Sequence, residues 1–305
     1  MKIRLENLFY TYSPKTPFAY AALKNINLDL EGRSFMALIG ETGSGKSTLV
    51  QHLNGLLTPS SGSVTVSDYQ ITVAEGKRRL VDLSKAGNRK IARKKKQFDI
   101  KALRKCAGLV FQFPEYQLFE ENVLKDVCFG PKNFGATQEE AEVKAKLALK
   151  LVGLDETYYS RSPFELSGGE KRRVAIAGII ALEPQVLILD EPTAGLDPEG
   201  EKEMMALFRR IYDAGTSVIL VTHNMDIVLK YVDQVCVMSD GRLLKQTDPL
   251  SLFQDEDFLA STAIEPPLVF RCAKELIQDG FKLDMKNIKD ISSLALEIKR
   301  AKDNG

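Results

Sequence analysis

The sequence has no long hydrophobic run, no paired cysteines and no net charge to speak of. The longest apolar stretch is nine residues, Val174 to Leu182, and only if Gly178 is counted. That is far short of the ~20 residues needed to cross a bilayer, so a membrane span is excluded. The opening Met1-Lys2-Ile3-Arg4-Leu5-Glu6 carries no apolar stretch of the secretory kind. The four cysteines, Cys106, Cys128, Cys236 and Cys272, are scattered without a C-x-x-C pair. They read as buried thiols in a reducing compartment rather than as disulfides or a zinc site. We therefore expect a soluble, intracellular chain. Lys and Arg number 42 against 41 Asp and Glu, so overall charge selects no partner. The distribution is uneven, however: Glu75 to Lys105 holds thirteen Lys or Arg and three Asp or Glu. No internal repeat and no sustained heptad pattern is visible.

What is present is a chain of 305 residues, 44% hydrophobic, enough for a large core. Four apolar runs read as strands buried on both faces: 35–39, 107–111, 186–189 and 218–221. Helical patterns follow or separate them at 46–57, 137–152, 170–182 and 198–214. Thr137 with Glu140 makes a capping box, and Gly153 and Gly215 are helix stops. Alternating strands and helices predict an α/β fold with a mostly parallel sheet. The first thirty residues differ. Ile3 to Leu5 and Ile26 to Leu30 alternate, which predicts an antiparallel sheet beside the core. Residues 113–163 read as a helical insert. After about residue 249, two amphipathic helices are expected. One face would carry Leu268, Cys272 and Leu276 beside Val269, Ala273 and Ile277. The other would carry Ile288, Ile291, Ala295 and Ile298.

The chemistry starts at Gly40-Glu41-Thr42-Gly43-Ser44-Gly45-Lys46-Ser47, which fits G-x-x-x-x-G-K-[ST] after a buried strand and before a helix. The glycines let successive backbone N–H groups turn inward as an anion nest, and the helix terminus adds partial positive charge. Lys46 is expected to reach the β- and γ-phosphates of a nucleotide, and Ser47 to place its hydroxyl on Mg²⁺. The alternative is an ordinary glycine-rich turn with a surface lysine. In a parallel sheet, ligands bind at the carboxyl ends of the strands. The other buried strands end in Gln112, in Asp190-Glu191 and in Thr222-His223. One rim would then carry phosphate donors, two carboxylates, an amide and an imidazole. We expect Asp190 to hold Mg²⁺, Glu191 to polarise the attacking water, His223 to meet the γ-phosphate, and Gln112 to sense metal and water. His52, inside the first helix, is taken as structural.

Leu166-Ser167-Gly168-Gly169-Glu170 precedes a helix that Ser167 can cap. Alone it is a plain cap. In this order, with the phosphate loop, the Gln112 strand end, Asp190-Glu191, Ala194-Gly195-Leu196-Asp197 and His223, the chain resembles an ABC-type ATPase, P-loop core included. The resemblance runs from Met1 to Gln246. It implies a cassette over 1–248, with the helical subdomain at about 113–165 and the basic insertion at about 74–105, followed by a helical extension over 249–305. It also implies head-to-tail pairing, in which Ser167 and Gly169 close over the partner's ATP and Asp197 touches the facing loop. Thr48 would join the phosphate site and Tyr12 would stack on adenine. Phe9, Tyr10 and Tyr20 lie close enough in sequence to compete for that role.

Phe111-Gln112-Phe113-Pro114-Glu115-Tyr116-Gln117-Leu118-Phe119 and Arg173-Val174-Ala175-Ile176-Ala177-Gly178 narrow the resemblance. They are similar to energy-coupling factor (ECF) transporter ATPases of the EcfA/CbiO type, and most similar to the second of the two EcfA paralogues. That family implies a heterodimer of EcfA-type chains, an EcfT-type transmembrane coupling protein and a substrate-binding membrane S-component. The dimer would be peripheral on the cytoplasmic face, with no nucleic acid among its partners, and would power uptake of vitamins or other micronutrients. Two departures are Glu170, where Gln is usual, and the long basic insertion. The run Arg89 to Lys96 could meet anionic lipid or nucleic acid. We read it first as a solvated segment, because no aromatic interleaves it before Phe98. A chromosome-maintenance ATPase would need heptad coiled coils where only about 120 residues separate phosphate loop and signature. A translation-factor protein would need two cassettes. An ATPase of another importer or exporter class is the remaining rival.

Overall fold

A computed structural model describes residues 1–74, 76–85 and 100–303. The run Arg89 to Lys96 lies outside the described residues.

Among the described residues the chain forms two sheets. The first joins β2 (Tyr20–Glu31), β1 (Lys2–Tyr12), β4 (Ser61–Val66), β5 (Tyr69–Ala74) and β6 (Lys77–Asp82), in that order. All its pairings are antiparallel, as the alternating N-terminal pattern predicts. Strand β6 shows where the start of the basic insertion goes: it extends this sheet as an edge.

The second sheet has the order β11-β10-β3-β9-β8-β7. Its members are β3 (Phe35–Ile39), β7 (Ala107–Val110), β8 (Val186–Asp190), β9 (Ser217–Val221), β10 (Gln234–Ser239) and β11 (Arg242–Thr247). All neighbours are parallel except the terminal hairpin β10–β11. The continuous apolar runs are explained by two covered faces. In β3, Phe35, Ala37 and Ile39 enter one core, while Met36 and Leu38 enter another. The second core is closed by the antiparallel sheet, by α1 (Lys46–Leu53) and by α2 (Ile100–Cys106). The first core is closed by α3 (Val123–Asn133), α4 (Gln138–Leu151), α5 (Gly168–Ile180), α6 (Pro198–Asp213) and α7 (Met225–Tyr231). The short helices α8 (Pro249–Gln254) and α9 (Glu256–Ala260) lead into α10 (Leu268–Gln278) and α11 (Ile291–Asp303).

Helix ends follow their caps. Thr137 and Glu140 close the expected capping box on α4. Helix α5 starts two residues before its expected start, because Ser167 and Glu170 form a second capping box. Helix α1 stops at Leu53, short of the expected residue 57. There Asn54 turns its side-chain amide to the Ala107 carbonyl, 2.5 Å away.

The tail corrects the expected faces. On α10 the residues turned to the core are Val269, Phe270 and Ala273. Leu268 and Ile277 lie outside, at 61% and 38% exposure. Phe270, absent from the expected stripe, rotates it by packing its ring 5.7 Å from Phe253. Ile288 is buried, but it precedes α11; Ile291 and Ala295 are exposed. The inner face of α11 carries Leu294 and Glu297 together with the expected Ile298, which packs against the core. Glu297 accepts hydrogen bonds from the Asp284 N–H, the Asn287 amide and Arg300. A carboxylate with that many partners can face inward, and helical periodicity alone reads it as outward.

Candidate functional site

The strand order does most of the assembly. Strands β3, β9, β8 and β7 are consecutive neighbours. Their carboxyl ends bring the phosphate loop, His223, Asp190-Glu191 and Gln112 onto one rim in that order.

The loop enters α1 through Gly45, which caps the helix with a positive φ of 99°. Gly40 has φ 141°, and a Cβ there would lie 2.0 Å from the Met238 carbonyl oxygen. The loop can therefore press on the β10–β11 hairpin only with glycine at this position. Lys46 is buried and folds back on its own loop. Its Nζ donates to the carbonyls of Gly40 and Glu41 at 2.8 and 2.7 Å, and to the Ser44 hydroxyl at 3.3 Å. Burial lowers the Lys46 pKa, opposed by the nearby carboxylates of Glu191, Asp190 and Glu41. Asp190 shows the complementary effect. Burial raises its pKa, and Glu191 adds to the rise, while a hydrogen bond from Ser47 and the charge of Lys46 work against it.

Glu191 is the hub of the rim. Its φ is 49°, a left-handed conformation unusual outside glycine, and strain of this kind clusters at functional sites. Its N–H donates to the Val221 carbonyl of β9 at 3.1 Å. One carboxylate oxygen lies 3.4 Å from His223 Nδ1, and the other accepts from the Gln112 amide at 3.4 Å. His223 is 77% exposed, free to turn toward a ligand. Phe113, just after Gln112, is also left-handed, at φ 55°.

A cleft of about 480 Å³ opens beside these groups. Gly40, Lys46, Glu191 and His223 line it, joined by Ile264 and Glu265 from the link between α9 and α10. The sequence gives no sign of that last contribution. Tyr12 ends β1 half-exposed with its hydroxyl 3.2 Å from the Thr48 hydroxyl, which places both beside the loop. Its competitors separate. Tyr10 turns inward to pack on His52 at 4.7 Å, whereas Tyr20 stays exposed with its hydroxyl 3.4 Å from the Gly43 carbonyl.

Ser167, Gly169 and Asp197 do not line this cleft. Ser167 caps α5 with an exposed side chain, and a Cβ on either Gly168 or Gly169 would meet nothing within 4 Å. Asp197 caps α6, accepting from the Gly200 N–H at 2.8 Å. Glu170 fits its helix terminus: it accepts from the Ser167 N–H and from the Tyr158 hydroxyl, both at 2.8 Å. Those bonds hold its pKa below the usual value, the Ser167 N–H contributing most.

A family model described as "ABC transporter" matches residues 23–194. Over 297 residues, the chain is 48% identical to the energy-coupling factor transporter ATP-binding protein EcfA2 of Spiroplasma kunkelii. That match spans 97% of this chain and 91% of the relative. The protein of the same name from Streptococcus pneumoniae serotype 2 is 49% identical over 95% of this chain and 96% of its own. The chain belongs to the ATP-binding subunits of energy-coupling factor transporters. Solved structures agree with this ECF ATPase family. CbiO1 from Clostridium perfringens, part of the ABC transporter complex CbiONQ, superposes with a TM-score of 0.65 at 38% identity, covering 85% of this chain and 93% of that one. The ATP-binding cassette MJ0796, in a dimer bound to ADP and Pi, gives 0.63 at 26% identity, covering 81% and 98%. The chain is thus a nucleotide-binding ABC ATPase, and among the described residues no helix is long and apolar enough to cross a membrane.

Proposed function

We propose that the chain binds Mg-ATP, pairs with a second EcfA-type cassette and hydrolyses ATP to power uptake through membrane partners. The observation that carries this reading is the division of its polar groups. Lys46, Glu191 and His223 share one cleft that Ser167, Gly169 and Asp197 do not line, which supports a reading in which one chain holds complementary parts of two sites. Residues 1–248 would form the cassette and 249–305 its extension.

Gly40 to Thr48 would cradle the phosphates through backbone N–H groups, and Lys46 would leave its own carbonyls for phosphate oxygens. Among the described residues no cluster of three acidic, histidine or cysteine side chains offers a closed metal cage. One carboxylate, Asp190, joined to one hydroxyl, Ser47, suits Mg²⁺, which keeps most of its water and takes phosphate oxygens. When bound, the ion would neutralise phosphate charge. Gln112 would face both that ion and the water. Glu191 would orient and polarise the attacking water, accepting its proton, while His223 would turn from Glu191 to the transferring phosphate. Tyr12 would stack on the base.

Phe113, Tyr116, Phe119, Phe129 and Phe164 are all exposed. Their concentration just after Gln112 and before the signature supports a groove for a helix of an EcfT-type membrane protein, with a substrate-binding S-component beyond it. The chain would then sit on the cytoplasmic face of the membrane.

Glu191→Gln tests the reading. Isolated from membranes in mild detergent, the variant should retain ATP, lose hydrolysis by about 10²-fold or more, and carry a second cassette with integral membrane proteins. Wild-type turnover would reject Glu191 as the base. ATP retained without a second cassette would reject the paired site.

A further inference from the structure

Arg172 lies on α5, just past Glu170 of the signature, with its side chain only 4% exposed. A buried guanidinium is unusual unless every N–H is directed somewhere, and here four bonds go to two different segments. Nε and Nη2 donate to the two oxygens of Glu115 at 3.1 and 2.8 Å, a bidentate fork. Nη1 donates to the carbonyls of Pro192 and Ala194 at 3.1 and 3.0 Å. Its guanidinium also sits 5.7 Å from the centre of the Phe113 ring.

Each partner has a place in the site. Pro192 and Ala194 belong to the turn that follows Glu191 and is closed by the Ala194 N–H donating to the Glu191 carbonyl at 3.1 Å. Glu115 lies in the 3-10 turn Pro114–Gln117, directly after Gln112 and left-handed Phe113. A left-handed glutamate persists only where its surroundings over-determine it. Arg172 supplies two of the bonds that do so. A buried ion pair is poor value as stability alone, since desolvation takes back much of the Coulomb gain. A fork that fixes two loops at once has a positional effect instead. The direct contact between Gln112 and Glu191 is long, at 3.4 Å, and leaves room for a second route.

We propose that Arg172 is a positioning residue for Glu191, tying the conformation of the turn after Glu191 to the position of the Pro114–Gln117 segment through Glu115. A shift of that exposed segment by a docked partner is passed to the turn through one rigid guanidinium. This rests on the role given to Glu191 above.

The test uses the full-length chain with Arg172→Lys, Glu115→Gln and the double substitution. Lysine keeps a charge for Glu115 but cannot hold both segments. Amide hydrogen exchange over residues 191–197 should rise about tenfold in each single variant, with α5 unchanged, and the double should be no worse than the worse single. In the assembly taken from membranes, kcat should fall about tenfold with KM for ATP within about twofold. Unchanged exchange at 191–197, or effects that add in the double, would overturn the proposal. If Arg172→Lys does not fold, Glu115→Gln decides alone, by the same exchange readout. Wild-type turnover in Glu191→Gln would instead remove the base while leaving the exchange result to judge the Arg172 link.

Discussion

His52 lies wholly buried in α1, its Nδ1 2.7 Å from the Thr48 carbonyl and its ring edge-on to Tyr10. Burial pushes its pKa down to about 4 from the ordinary 6.5. The folded chain therefore resists protonating this ring more than the unfolded chain does. Its contribution is complete above pH 6.5 and is lost as the pH falls toward about 4. We expect the unfolding free energy to fall across that window, by on the order of 3 kcal/mol at the acid end, with the melting temperature following it down, and His52→Leu to remove this slope. Thermal unfolding from pH 7 to 4 measures it; an equal slope in the variant would show that other groups are responsible. His52 was legible as structural because it is a lone histidine inside the helix after the phosphate loop rather than at a strand end. That Glu191 and His223 would meet on one rim was legible because each ends a buried strand of the same parallel sheet. Arg172 was not. In Lys171-Arg172-Arg173 it reads as part of a solvated charge run. Only its contacts with Glu115, 57 residues away, distinguish it.

At the scale of the element, the phosphate loop separates two demands made on glycine. At Gly43, φ is 83° and a Cβ would meet nothing within 4 Å; at Gly40 it would meet Met238 O at 2.0 Å. Gly43→Ala should therefore cost only the left-handed backbone penalty of about 1–2 kcal/mol. Gly40→Ala adds a backbone clash and should lower the melting temperature of the nucleotide-free chain considerably further. Differential scanning calorimetry of both variants makes the comparison; equal losses would mean that the hairpin yields. The strands and most helices were legible because burial on two faces and capping residues leave marks over a few neighbouring positions. The end of α1 was less so, because Asn54 turns away through a bond to Ala107 that the pattern does not carry, whereas the Ser167 cap on α5 was legible. The tail misled for a related reason. Glu297 faces inward with hydrogen-bond partners around its carboxylate, and Phe270 outweighs smaller neighbours.

At the scale of the molecule, the tail rests on the layer that carries the site. Lys230 of α7 holds Asp290, just before α11, at 2.7 Å. Hydrogen bonds from Lys230, then from the Ser293 N–H, bring the Asp290 pKa down to about 2 from 3.8. A depressed carboxyl stabilises the folded form above pH 3.8, and the effect is lost as the pH falls toward about 2. Both side chains are partly exposed, so salt screens the pair. We expect Asp290→Asn to raise hydrogen exchange in α11 at neutral pH, and to abolish the acid-driven rise expected of the parent, with the strands of the parallel sheet unchanged. Exchange rising equally in sheet and tail would make the pair a global rather than a local clasp. That two helices follow residue 249 was legible. That the link between α9 and α10 would line the cleft beside Lys46 was not, because no local pattern records where a chain returns in space.

The groove between α6, α7 and the tail also holds Cys272, half-buried on α10. The other three thiols are buried. Burial pushes Cys106 up to about 11 and Cys236 up to about 12, and raises Cys128 as well. Access singles out one site, because a thiol must be reached before it can react. The native chain thus carries a ready-made chemical tag on the inner wall of its tail, and the rate at which a maleimide captures it reads how open the groove beneath that tail is in solution.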